Sequence, residues 1–133
     1  MPDPEFDESD IKSKLGQTLG LSDREIVALF GYRTLGFLSH KKKNEEIRWS
    51  MNPYVFDNNY YKELLKPENK YYIKTPSDKA LLNNSQWLEF VEEFAKDQEA
   101  FFNEFTNVYI KLGRLGHNNL KPEVTNVNFN LSI

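Results

Sequence analysis

The sequence predicts an all-α domain, and three observations carry that expectation: apolar stripes at helical spacing, capping signals ahead of them, and glycines behind them. The 133 residues suffice for one compact core, and ten Phe, seven Tyr and two Trp make large rings its main material. Residues 1–8 hold two prolines and four acids and read as an extended lead-in. From Asp7 to Leu19 the residues Ile11, Leu15 and Leu19 recur at spacing four, and Gly20 closes that helix. Ser22 and Glu25 then form a capping box, in which each side chain accepts from the other's backbone N–H. Ile26, Val27, Leu29 and Phe30 follow as a short helix, apolar on nearly every side and therefore buried, stopping at Gly31.

Residues 32–57 lack helical periodicity, and Lys41, Lys42 and Lys43 mark a solvated loop. Asn58 to Leu65 restarts a helix, and Tyr71, Tyr72 and Ile73 form a short extended segment before Pro76. One helical stripe joins Trp87, Leu88, Val91, Phe94 and Ala95; the next joins Phe101, Phe102, Phe105, Val108, Tyr109 and Leu112. Gly113 and Gly116 end the second. The helical domain thus covers residues 9–118, and residues 119–133 are an extended tail. Alternation of Val124, Val127, Phe129, Leu131 and Ile133 suits docking on another chain, or else an untied chain end.

Composition removes several function classes. Seventeen basic residues against 20 acidic ones, a formal charge of −3, do not make a nucleic-acid groove. The absence of cysteine excludes disulfides, thiolate metal sites and cysteine nucleophiles. His40 and His117 have no metal-ligand spacing. No apolar run approaches the roughly 20 residues of a transmembrane helix, which leaves peripheral association with a membrane complex. The acidic N-terminus resembles neither a secretory signal nor a basic transit peptide, so import into an organelle would need an internal or already removed signal.

Several stretches are more specific. Leu21–Leu29, Thr34-Leu35-Gly36, Trp49–Asn58, Thr75–Leu82 and Phe94–Phe102 follow one another as in the C-terminal half of class I haem peroxidases, the ascorbate peroxidase and cytochrome c peroxidase family. The chain resembles that family over roughly residues 3 to 116. The resemblance implies the proximal helical half of the peroxidase fold, with a short β element. In that family a histidine holds the iron, an aspartate orients the histidine, and a tryptophan lies beside the pair. The aspartate matches Asp78, the tryptophan matches Trp49, and the histidine position matches Arg33.

Arginine cannot take that role, because a guanidinium stays protonated and has five donors and no lone pair. Tyr32 is adjacent, but one helical residue turns its side chain about 100° away. His40 falls one residue beyond a histidine that ascorbate peroxidases keep near the haem edge, and Lys42 stands at their substrate-binding arginine. The chain starts just before the proximal half and offers no distal arginine, aromatic residue and histidine. Haem is therefore expected to be absent. Arg33 is expected to face Asp78 as a charge pair, with a fork bonding the carboxylate at two points, or else to be a surface residue. Trp49 would then be a core aromatic whose N–H needs an acceptor.

The resemblance also implies a potassium site whose ligand positions match Thr34, Ser50, Asn52, the Val55 carbonyl and Asp57. One carboxylate among oxygen donors suits a monovalent cation. The simpler reading is a turn network in which Asp57 accepts from backbone N–H groups. The functional expectation is a non-catalytic, peroxidase-like accessory subunit. An exposed former haem face would be covered by other protein chains of a larger assembly. By family analogy that assembly is a mitochondrial respiratory-chain or ATP synthase complex, with the cytoplasm as the alternative location. The alternative function is half of a split haem peroxidase, removing hydrogen peroxide together with a partner chain.

Overall fold

A computed structural model describes residues 3–35, 37–40, 45–48, 50–52, 54–68, 72 and 74–119, with the backbone alone for 37–40, 45–48 and 116–119. Among the described residues six α-helices surround one core: α1 (Glu8–Ile11), α2 (Asp23–Leu29), α3 (Asn59–Leu64), α4 (Pro76–Asn83), α5 (Ser85–Lys96) and α6 (Gln98–Asn119). The fold is all-α apart from one antiparallel hairpin, β1 (Phe37–His40) with β2 (Glu45–Arg48), in which Phe37 faces Arg48 and His40 faces Glu45.

Asp7 opens α1 with a reciprocal capping box to Asp10. The chain then widens into a π-helical stretch, Lys12–Gln17, with Thr18 N donating to Ser13 O at 3.0 Å. Ile11 and Leu15 are buried, and Gly20 leaves the helix at φ 71°, where a side chain would be strained. The lead-in is not free: Pro4 O accepts from Ser77 N at 3.0 Å, and Phe6 packs on the core. Glu8 is already helical.

Ser22 caps α2 as the sequence requires, accepting from Glu25 N at 3.2 Å while Glu25 Oε1 accepts from Ser22 N at 2.9 Å. The helix does not end at Gly31. It tightens into a 3-10 helix over Phe30–Thr34, so the chain stays helical through Arg33. Gly31 sits where nothing larger fits: a Cβ there would run into the Phe101 ring and lie 2.6 Å from the Tyr61 hydroxyl. That hydroxyl donates to the carbonyls of Val27 (2.7 Å) and Ala28 (3.1 Å), near the C-terminal end of α2.

The two aromatic stripes meet as expected. Trp87, Val91 and Phe94 of α5 and Phe101, Phe105 and Val108 of α6 are buried. Phe101 is 5.1 Å from Tyr61 and 5.5 Å from Phe56 between ring centroids, and Phe56 is 5.0 Å from Phe105. Burying each such ring contributes about 1.5–3 kcal/mol, which makes this cluster the main hydrophobic anchor of the fold. Trp87 Nε1 finds its acceptor in Asp23, at 3.0 Å.

Further sequence expectations need correction. The hairpin lies within 32–57, where a loop was expected; pairing across strands, invisible to a helical period, supplies its hydrogen bonds. Helix α4, absent from the periodicity reading, begins with Pro76 and a Thr75 cap. Gly113 and Gly116 do not stop α6, which runs to Asn119; glycine lowers helix stability by about 1 kcal/mol without breaking the hydrogen-bond ladder. The expected tail, residues 119–133, lies outside the described residues beyond Asn119, as do 71 and 73 of the expected extended segment. Leu29, Phe30 and Arg33 are 3%, 0% and 0% exposed, so the end of α2 and the turn after it are packed inside the protein.

Candidate functional site at Arg33 and Asp78

Two helix ends converge to build the site. The 3-10 turn after α2 carries Arg33, and the first turn of α4 carries Asp78. Arg33 Nη1 donates to Asp78 Oδ1 at 2.6 Å, with both side chains essentially inaccessible (0% and 1%). Asp78 is held by more than this ion pair. As the third residue of α4 it completes a capping box: its Oδ2 accepts from the Thr75 backbone N–H and from Thr75 Oγ1, each at 2.9 Å. Tyr60 of α3 donates its hydroxyl to Asp78 Oδ1 at 2.6 Å. The expected two-point fork is thus divided, because Oδ1 serves Arg33 and Tyr60 while Oδ2 serves the helix cap. Nη1 also reaches Thr75 Oγ1 at 3.3 Å.

Charge placement agrees with this geometry. The carboxylate lies at the positive end of α4, where the helix dipole favours an anion. Burial pulls the Arg33 pKa down, but the nearby Tyr60 and Asp78 more than offset it and leave the value raised, so the guanidinium stays charged. Burial, and then the neighbouring Asp78 charge, push the Tyr60 phenol well above its ordinary value, so its proton remains on oxygen and in the hydrogen bond. The Arg33 guanidinium carbon also lies 4.7 Å from the Phe30 ring centroid, a cation–π contact between two buried side chains.

The second group of sequence candidates lies one residue away. Thr34 Oγ1 donates to Asp57 Oδ1 at 2.8 Å, and the same oxygen accepts from Asn59 N at 2.9 Å. Ser50 Oγ donates to Thr34 O at 2.6 Å. Asn52 makes a local turn, its Oδ1 accepting from Tyr54 N at 3.0 Å and its carbonyl from Val55 N at 3.3 Å. The structure therefore brings Thr34, Ser50 and Asp57 together, with Asn52 and Val55 in the adjoining turn. Trp49 and Lys42 lie outside the described residues, and His40 is placed only as a β1 position. No cluster of three or more His, Cys, Asp or Glu suited to a metal occurs among the described residues.

Thr75 and Tyr60 are the participants that periodicity missed, and Phe30 was expected only as a buried position of the helix after the capping box. Thr75-Pro76-Ser77-Asp78 carried a legible signal, a capping residue three before a carboxylate with proline between. Phe30 stands three residues before Arg33, but nothing in the sequence shows that a 3-10 turn will align them. Tyr60 has no local signal.

A helical proximal-type scaffold, with a carboxylate in the first turn of one helix facing the end of another, defines a haem-peroxidase half-fold. The family model described as Peroxidase matches residues 1–97, and the chain belongs to the class I haem peroxidase family. It is 44% identical over 98 residues to L-ascorbate peroxidase 2, cytosolic, of Arabidopsis thaliana, covering 74% of this chain and 39% of that protein. Similarity to L-ascorbate peroxidase 1, cytosolic, of Oryza sativa subsp. indica is 38% over 116 residues, covering 87% of this chain and 46% of the relative. L-ascorbate peroxidase 5, peroxisomal, of Arabidopsis thaliana is 38% identical over 118 residues, 89% of this chain and 42% of the relative. The chain spans less than half the length of these relatives.

The residues present do not fit the group this family name implies. Arg33 has no electron pair for iron, and Asp78 is already committed to four hydrogen bonds.

Proposed function

We propose that this chain is a non-catalytic, haem-free domain derived from a class I peroxidase and used as an accessory subunit of a larger protein assembly. One observation carries the reading: Arg33, which cannot ligate a metal, is buried and ion-paired to the carboxylate that would otherwise orient a ligand. Leu35, Met51 and Tyr54, on segments flanking the pair, are exposed at 37%, 63% and 80% and offer apolar contact to another chain. No helix among the described residues is long and apolar enough to cross a membrane, which suits peripheral attachment. A mitochondrial respiratory-chain or ATP synthase host follows from the cytochrome c peroxidase side of the family. The cytosolic names of two relatives support the cytoplasm as the alternative location. Within this reading Thr34, Ser50, Asn52, Val55 and Asp57 serve as a turn network, because Asp57 Oδ1 is satisfied by protein donors.

The test is spectroscopic. The purified chain, supplied with haemin, is expected to show no stoichiometric Soret band of an axially ligated haem. Such a band would overturn the reading, and its appearance only on addition of a companion chain would favour half of a split peroxidase acting in hydrogen peroxide removal. Copurification under mild detergent is expected to return companions at fixed stoichiometry.

A further inference from the structure

We propose that Phe30 is a second barrier to a tetrapyrrole at this site, separate from Arg33, so that excluding haem is a property of two residues. The inference rests on the haem-free reading above and names what enforces it. Phe30 and Arg33 belong to one 3-10 helix, Phe30–Thr34. In that geometry three residues complete a turn, so side chains at i and i+3 eclipse and are separated along the axis by about 6 Å. Their placement bears this out, with the Arg33 guanidinium carbon 4.7 Å from the Phe30 ring centroid and both side chains 0% exposed.

A macrocycle bound face-on at position 33 is wider than one turn of that helix and would also lie over position 30. The Phe30 ring, fully buried, has little freedom to withdraw: interiors are close-packed, and beside it even a Cβ added at Gly31 would run into Phe101 and Tyr61. Replacing Arg33 with the shorter histidine supplies a lone pair, yet it leaves the ring in place and opens space beside it. The ligand would be restored and the room for the cofactor would not.

Four proteins test this: the wild-type chain, Arg33→His, Phe30→Ala and the double variant. Each is titrated with haemin and read by Soret position and stoichiometry, with circular dichroism melting to confirm a cooperative fold. The double variant is expected to bind one haem with a histidine-ligated spectrum, at least tenfold more tightly than Arg33→His alone. Equal binding by Arg33→His and the double variant would overturn the proposal while leaving the haem-free reading intact. A folded double variant that binds no better than wild type would overturn it as well. Stoichiometric binding by the wild-type chain would instead overturn the haem-free reading itself. If Phe30→Ala does not fold, Phe30→Val in the same backgrounds, which also shortens the side chain, carries the same comparison.

Discussion

Arg33 and Thr34 are neighbours in one 3-10 turn, yet their side chains enter networks built on different physics. Arg33 places a full charge out of water against Asp78, and among the described residues Tyr60 and Thr75 also donate to that carboxylate. Thr34, itself buried with Ser50, joins a set of hydroxyl, amide and backbone groups around Asp57, and the half-buried Asp57 forms the solvent edge where water can replace a lost partner. A buried ion pair is intolerant of losing one member, because the survivor is a desolvated charge. A solvent-edged turn tolerates the same loss at about the cost of one hydrogen bond. Two polar clusters of one family heritage should therefore respond very differently to mutation.

The largest effect is expected from Asp78→Ala, which strands the Arg33 charge and removes the α4 cap together. Denaturant unfolding should show a loss of about 3–5 kcal/mol, and an unchanged midpoint would rule out the pair. A double-mutant cycle sharpens the point. Combining Arg33→Met with Asp78→Asn should cost less than the two single changes added together, with a coupling of about 0.5–3 kcal/mol; strict additivity would mean that the two groups do not sense each other.

Tyr60→Phe comes next, removing a hydrogen bond to a charged acceptor for about 1.5–3 kcal/mol. This residue also gives the fold an alkaline limit. The Tyr60 and Tyr61 phenols are raised well above 10.0 in the folded protein, burial being the largest cause for both. Their unfolded forms ionise near pH 10, so the stabilisation is complete below that pH and is lost as pH climbs toward the folded values. Stability measured above pH 10 should fall in the native chain and fall less steeply in Tyr60→Phe.

The smallest effect is expected at the turn. Asp57→Asn should cost about 1 kcal/mol, and melting in potassium chloride should match melting in choline chloride. A potassium-dependent rise that Asp57→Asn abolishes would place a cation among Thr34, Ser50 and Asp57 and erase the contrast.

Legibility followed the range of the interactions. The capping box at Ser22, the stripes of α5 and α6 and the glycine stop at Gly20 were readable because each depends on residues within a turn or two. Helix α4 was equally local, marked by Thr75 and Pro76, but it was too short for a periodic stripe to stand out. The tethering of the extended lead-in was not legible, because the partner of its Pro4 carbonyl, Ser77, lies far along the chain. Gly113 and Gly116 misled because glycine ends a helix only when the backbone turns left-handed, which among the described glycines Gly20 does.

What the sequence by itself determined is chemical: an arginine at position 33 carries no lone pair in any surroundings, so that side chain cannot ligate iron. What only the tertiary structure decided is where that charge went. Arg33 meets Asp78 across 45 residues and Asp78 meets Tyr60 across 18, distances over which no local periodicity carries information. Only packing α2, α3 and α4 around one aromatic core brings those groups within hydrogen-bond reach, and the cost of leaving a buried charge alone keeps them there.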